Sequence, residues 1–434
     1  MSRSFDLGAL PYFAEPNLYF FDGNRLRGWE FSGWKPESMS WKTGCYIHSG
    51  LSGPVMVYRG EELDAFFAEI CVNGFKKFSV GSMKHAVMCT EDGLIATHGI
   101  LQRDSHEQAR FFAAGNWPTY MLSKKPWKVE ASVESIYLFQ IAGPQSLEVL
   151  QRATSQDLRD IGFLRFRSSR IAGEKVEIGR IGMSGNLAYE VRGPIAQGPE
   201  IYQAIVDAGK DFGIERLGWR TYLVNHVEGG FPQQLWTFYP ALLEDEGYRS
   251  WAGTGFRTHP TITGSVDPAD MRARYRTPVE AGWGTTVRLD HDFVGRAAVE
   301  AEMKVPRRVT VTLKWNAEDV TDIFASLLRP GEEYKTIDLP TSPAWNIGFL
   351  AHADHVSADG EAIGFSSGTV YSYYFRCVLS MGCIDAAAAN IGNEVIVQWG
   401  DFGGRIKKVR ATVETYPYFV EGRNEAIDFQ APNL

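Results

Sequence analysis

The 434-residue sequence predicts an α+β fold in two parts, mixed strands and helices first and antiparallel β structure last. Two patterns predict it. Three times an apolar strand runs into Gly or Gly-Pro and then into helical spacing. The strands are Val55 to Arg59 before Gly60, Tyr137 to Ala142 before Gly143-Pro144, and Leu187 to Arg192 before Gly193-Pro194. The helical sets that follow are Leu63, Phe66, Phe67 and Ile70; Leu147, Leu150 and Ala153; Ile201, Ile205 and Val206. From Arg307 the pattern changes to β-branched alternation, as in Val309 to Leu313, Gly368 to Ser372, Glu394 to Gln398 and Val409 to Val413.

Taken in order, residues 1–53 read as an aromatic arm with short strands, rich in Trp, Tyr, Gly and Pro. Residues 54–277 hold the three strand–glycine–helix units, and Gly253, Gly255, Pro260 and Gly264 punctuate its end. Residues 278–306 read as a linker: a strand, a turn, then a helix from Ala297 to Lys304. Residues 307–434 form the C-terminal β domain, with turns such as Asp359-Gly360 and Gly403-Gly404.

Composition narrows the class. Apolar content of 44% and charged content of 22% are those of an ordinary globular chain. The longest apolar runs fall short of a membrane span, and the first residues carry no export signal. A net charge of −8 argues against general nucleic-acid binding. Five scattered cysteines with no Cys-x-x-Cys read as reduced thiols, so a cytoplasmic setting is expected. The nine histidines are dispersed, and no metal-ligand spacing occurs. No phosphate-cradling loop is present.

Four segments together resemble one family. They are Gly93 to Arg103, a Gly-rich turn and strand ending in Arg; Phe139-Gln140-Ile141-Ala142-Gly143-Pro144; Gly182 to Glu190, with its Gly-x-x-Gly spacing and final Tyr-Glu; and Pro278 to Gly282 with Asp292 to Arg296. In this order they resemble the tetrahydrofolate-dependent aminomethyltransferase (glycine-cleavage T-protein) superfamily. The resemblance implies a ferredoxin-like α/β folate-binding region followed by a small antiparallel β-barrel, with tetrahydrofolate as one-carbon acceptor. It leaves the donor open. By the Arg103 register the family's catalytic Asp falls at His98, and neither Thr97 nor Gly99 is a carboxylate. That departure, the aromatic arm and the segment Gly218 to His226 look like the branch of bacterial aromatic O-demethylases acting on vanillate or syringate. Related branches accept methoxylated chlorobenzoates or methylenedioxyphenyl compounds.

The resemblance assigns roles. Glu190 and Gln140 are the expected cofactor-binding pair, because one carboxylate can accept two adjacent pterin N–H donors in bidentate fashion. Tyr222, Arg103 and His98 are the expected catalytic residues. Tyr222 is the proton donor to the departing aryl oxygen, since its ordinary pKa of about 10 is close to a phenol's. Arg103 binds a substrate carboxylate or orients the leaving oxygen. His48 and Trp41 are expected at the aromatic substrate. Each has a plain alternative: a solvated edge-strand Glu, a core Tyr with its hydroxyl capped, a surface Arg, a satisfied His. The expected reaction moves methyl from a methoxybenzoate-like ether to N5 of tetrahydrofolate. Another donor (methylenedioxyphenyl, sulfonium, amine or halomethane), or a non-catalytic folate-binding protein, stays open. The expected partner is a small aromatic molecule, with no nucleic acid and no membrane, and the exposed arm leaves room for a homo-oligomer.

Overall fold

The structure is a computed structural model that describes residues 18–22, 25–113, 115–183, 185–253, 262–337 and 351–429. The first seventeen residues of the aromatic arm and the boundary positions Gly255 and Pro260 lie outside the described residues.

β1 (Leu18–Asp22) and β2 (Arg25–Glu30) pair as a separate hairpin, followed by α1 (Trp34–Thr43) and β3 (Cys45–His48). β4 (Gly53–Arg59) leads into α2 (Leu63–Ile70). Then come β5 (Met83–Cys89), β6 (Ile95–Ser105), β7 (Gln108–Phe112) and α3 (Trp117–Leu122). β8 (Glu130–Ala142) leads into α4 (Ser146–Thr154). β9 (Phe166–Ile171), β10 (Glu174–Gly179) and β11 (Ala188–Pro194) precede α5 (Gly198–Gly209). β12 (Ile214–Arg216), α6 (Trp219–Gly229), α7 (Glu246–Ala252) and α8 (Arg296–Lys304) complete the first part.

The three expected strand–glycine–helix units supply β4, β8 and β11, which lie side by side in a ten-stranded sheet ordered β5-β6-β7-β4-β8-β11-β10-β9, with β3 pairing β8 and β12 pairing β3. Each is antiparallel to its neighbour. β8 is the long strand that joins two half-sheets. Its first half pairs with β4, and its second half lies between β3 and β11 and is buried throughout.

Alternation sets what each face does. Tyr137, Phe139 and Ile141 of β8, with Tyr189 and Val191 of β11, pack under α4 and α5 in one apolar core. The intervening residues, Gln140 and Glu190 among them, point to the opposite face, where α6 lies. Nine residues of α6, Thr221 to Gly229, are buried, because the helix is covered by the sheet on one side and by the barrel on the other. An element polar on its faces but enclosed all round must place its polar groups deliberately.

No strand forms at residue 278. That segment runs through a turn and a short 3-10 helix (Gly284–Thr286) before α8. Thr277 and Glu280 close the turn by reciprocal backbone–side-chain hydrogen bonds, which uses the groups a strand ladder would need. β13 (Arg308–Trp315), α9 (Ala317–Ser326), β14 (Asp354–Ala358), β15 (Glu361–Ser372), β16 (Cys377–Asp385), β17 (Glu394–Trp399) and β18 (Lys407–Glu414) follow. The six strands close into an antiparallel barrel, β13-β16-β15-β14-β17-β18. Its interior is filled by Val311, Leu313, Val356, Ile384, Val397 and their neighbours.

Candidate active site

Register places three of the expected residues in one line. His48 of β3 is opposite Gln140 of β8, and Gln140 is opposite Glu190 of β11. Next to Glu190, on β10, stands Gly179. Partners directly across antiparallel strands share a face and lie about 5 Å apart, so the row is a short polar strip on the α6 side of the sheet.

α6 lays a second strip over it. Trp219, Tyr222 and His226 recur at helical spacing and form one stripe. The Tyr222 ring stacks on the His48 imidazole at 4.2 Å and 14°. Trp219 meets both rings edge-on, at 5.0 and 5.2 Å. His226 donates its Nδ1–H to the Tyr222 carbonyl at 2.8 Å. Gly50 is required here: a Cβ would sit 2.5 Å from His48 Nε2 and 2.7 Å from Trp219 Nε1.

This face holds buried polar atoms without protein partners among the described residues: Gln140 Nε2, His48 Nε2, Tyr222 Oη, His226 Nε2 and His98 Nε2. Buried polar groups are ordinarily paired, so five such atoms on one face mark a place where a polar ligand completes the bonding. Gln140 is already oriented, because its Oε1 accepts from Tyr46 Oη at 2.6 Å and its amide nitrogen is thereby turned toward the face. Glu190 accepts from Arg192 through Oε2 at 2.8 Å. Its Oε1 takes no hydrogen bond among the described residues. A carboxylate with a spare oxygen beside an oriented amide suits a flat heterocycle that presents adjacent N–H donors.

The electrostatics are those of a dry, neutral pocket. Burial pushes Glu190 above the usual carboxylate range, and the Arg192 charge pulls it back. Burial holds the Tyr222 hydroxyl well above a free phenol, so it stays protonated. Burial drives His48 down to about 3, opposed by its hydrogen bond to the Leu217 carbonyl and aided by the charge of Arg27. His226 falls to about 4 for the same first cause, and His98 falls well below its ordinary value. All three imidazoles are neutral at physiological pH.

The other expected residues divide. His98 lies on β6 within an aromatic box, 4.5 Å from Trp283 and 3.1 Å from His85 between ring nitrogens. The Phe231 ring lies 5.9 Å from His98 and 6.1 Å from His226, which puts His98 at the edge of the Tyr222 cluster. Arg103 does not join the cluster. It is ion-paired with Asp64 of α2, and its guanidinium also donates to the His106 carbonyl. The reason is alternation: residues 98 and 102 share the site face of β6, and residue 103 points through the sheet to α2. Trp41 donates its indole N–H to Glu228 at 3.0 Å and meets the Tyr46 ring edge-on at 6.2 Å. It touches the site through Tyr46, and its polar atom serves the seam with the barrel. Arg192 and Tyr46 belong to the site and were not anticipated; Trp219 was one of the tryptophans expected to wall an aromatic pocket. Arg192 was within reach of the sequence, since residues i and i+2 of one strand share a face.

With this geometry in view, the relatives are informative. The GCVT N-terminal domain matches residues 30–235. Sesamin methylene transferase of Sinomonas sp. is 39% identical over 419 residues, 92% of each chain. The chain belongs to the aminomethyltransferase superfamily. Syringate O-demethylase of Sphingobium sp. is 28% identical over 428 residues, 92% of this chain and 91% of the other. The glycine cleavage system aminomethyltransferase T from Bartonella henselae has the same fold, with a TM-score of 0.68 at 16% identity over 94% of this chain and 95% of the other. The aminomethyltransferase superfamily is one of folate-dependent one-carbon transferases, and this chain is an enzyme of that class. None of its described helices is long and apolar enough to cross a membrane.

Proposed function

We propose that this protein moves a one-carbon unit from an aryl ether, in first place a methylenedioxyphenyl compound, to tetrahydrofolate, with N5 as the first accepting atom. One observation carries the reading: His48, Gln140 and Glu190 form a row across three strands beneath Tyr222, with unpartnered polar atoms facing one space. Those atoms fit a reduced pterin lying beside a flat aromatic ether.

Tetrahydrofolate, when bound, would supply the accepting nitrogens, N5 for the first C–O bond broken and, for a methylenedioxy carbon, N10 for the second, and the proton each nitrogen gives up balances the one gained by each aryl oxygen. The rest is done by side chains of this chain. Glu190 and Gln140 hold the amide edge of the pterin. Tyr222 keeps a proton on Oη and delivers it to the aryl oxygen when the oxygen–carbon bond breaks and the electron pair stays on oxygen. Its burial keeps that proton in place at neutral pH. Burial also makes Tyr222 a reluctant acid, so the transfer balances only when the departing oxygen is equally dry. Neutral His48, stacked on the tyrosine ring, fixes its plane; its Nδ1–H donates to the Leu217 carbonyl at 2.9 Å, so Nε2 is an acceptor for the hydroxyl formed on the second ring oxygen.

Two observations favour a neutral donor over a benzoate. The relative at 39% identity is a sesamin methylene transferase, and Arg103, the cation expected at a substrate carboxylate, is held by Asp64. A methoxybenzoate donor is the second reading, supported by Arg27, whose charge reaches His48 and whose Nη1 lies 3.0 Å from the Gly50 carbonyl. We place the protein in the cytoplasm, since its five cysteines are unpaired.

The test is incubation with tetrahydrofolate and, separately, a methylenedioxyphenyl lignan and syringate, with folate products identified by mass spectrometry. Catechol release with a one-carbon folate is expected from the lignan at a higher rate. Absence of any one-carbon folate from either ether overturns the proposal.

A further inference from the structure

Behind Glu190 stands a buried chain of polar groups that the reaction as described does not use. Arg192 is fully buried, and its Nη2 donates to Glu190 Oε2 at 2.8 Å. Its Nη1 donates to Gln102 Oε1, and Nη2 also lies 3.5 Å from Met83 Sδ. The guanidinium carbon is 4.6 Å from the centre of the Phe112 ring. Gly179 makes the space: a Cβ there would come within 3.0 Å of Arg192 Nη2 and 2.8 Å of Met83 Cε. Gln102 cannot turn away, because its amide nitrogen donates to Asp104 at 2.7 Å and lies 3.3 Å from Glu177. Arg110 in turn bridges Asp104 at 2.8 Å and Glu177 at 2.9 Å.

We infer that Arg192 is a positioning residue for the cofactor: it keeps Glu190 charged and aimed so that both carboxylate oxygens can accept from the pterin, and the Gln102 chain locks its guanidinium in that place. This rests on the reading of Glu190 as the pterin's carboxylate. The argument is one of protonation. A neutral pterin brings two N–H donors and no positive charge. A buried carboxyl with no cation beside it takes up a proton, becomes a donor on one oxygen, and then opposes one of those N–H groups. Arg192 is the cation that prevents this. The groups around Glu190 confirm how much depends on it. From β8 comes neutral Gln140, from β3 Tyr46 with its hydroxyl engaged on Gln140, and from α6 the protonated Tyr222. From β6, β7 and β10 come Asp104, Arg110 and Glu177. Without Arg192 three carboxylates face one arginine, and Glu190 is the one that protonates.

Calorimetric titration with 5-formyltetrahydrofolate, a stable analogue that keeps the pterin amide edge, tests this between pH 6 and 9 on the wild type, R192Q, R192K and E190Q. Wild type is expected to bind with little change over this range. R192Q is expected to bind at least tenfold more weakly at pH 7 and to recover toward pH 9, its midpoint moved upward. R192K is expected to keep the wild-type midpoint and lose affinity severalfold, because an ammonium carries the charge without the two-armed reach. A packing role alone gives a loss that is equal at every pH, and that result overturns the inference, as does an R192Q that tracks wild type. Should R192Q not fold, R192K decides, and wild-type affinity in R192K overturns the positioning role. If wild type binds no folate, the reading of the site falls and this inference with it. If wild type binds, E190Q does not and R192Q is normal, this inference alone falls.

Discussion

Two buried carboxylates, one at the seam between sheet and barrel and one on the site face, are handled in opposite ways. Glu228 of α6 accepts from Trp41 Nε1 at 3.0 Å, from Ser372 Oγ of the barrel at 2.6 Å and from Lys42 Nζ. The Lys42 ammonium is also boxed by the rings of Phe419 at 4.1 Å and Trp41 at 4.6 Å. Both oxygens of Glu228 accept hydrogen bonds inside the protein. Glu190 accepts from one donor and leaves an oxygen over. Burial and an ion pair are common to both acids; the count of unmet hydrogen bonds is what separates them.

The contrast is broken most forcefully at the seam. E228Q should destabilise the fold by about 3–5 kcal/mol, since it leaves Lys42 buried with only the more distant charge of Glu421. E190Q should cost about 1 kcal/mol or less, because the remaining Arg192, Arg110, Asp104 and Glu177 balance to zero net charge. Chemical denaturation of the two variants checks this, and equal losses would erase the distinction. Turnover is the next largest effect. Y222F should lose about 10²–10⁴-fold in kcat while binding folate normally; full turnover in Y222F removes the proton-donor role. E190Q should weaken folate binding by about 10–100-fold, the worth of one or two charge-assisted hydrogen bonds, and E228Q, where it folds, should not.

The smallest effect is in pH. His48, His85, His98, His226 and His352 are buried with their ordinary values pushed down, to about 3 for His48 and His352 and about 4 for His85 and His226. The unfolded chain binds protons there at pH values where the folded one does not, so stability is lost as pH falls from about 6.5 toward 4. Glu37 and Asp354, each raised to about 7, act with the opposite slope between their ordinary values and pH 7. Glu190 and Glu302, raised by burial, act in the same sense as Glu37 and Asp354, and the five histidines outnumber these four carboxyls. A melting temperature that drops steadily below pH 6.5 is expected, and one that rises on acidification contradicts the neutral-histidine pocket.

Much of this was legible in the chain. β4, β8 and β11 stand out because each is an apolar strand closed by glycine; the second half of β8 and most of β11 are buried on both faces, while β4 is only partly buried. β14 and β16 do not stand out. β14 is five residues with an Asp and a His, and β16 interrupts its apolar run with Ser380 and Gly382. Ser380 is polar and buried because it accepts from the Trp315 indole at 2.9 Å, a contact 65 residues away that no local pattern announces. In the site, Glu190 and Gln140 were readable from motif, and their adjacency in register was not. His98 and Arg103 came from one strand with an odd spacing, so a single face never contained both. His226 was visible beside Tyr222, but only the helix phase shows that the two share a stripe with Trp219.

The central claim is that the row His48–Gln140–Glu190 receives the pterin. A crystal structure with 5-formyltetrahydrofolate bound addresses it directly. The account expects the amide edge of the ring on both oxygens of Glu190, with Gln140 Nε2 engaged and the ring beside Tyr222. A ring bound elsewhere, with Glu190 still bonded to Arg192 alone and Gln140 Nε2 still without a partner, contradicts it.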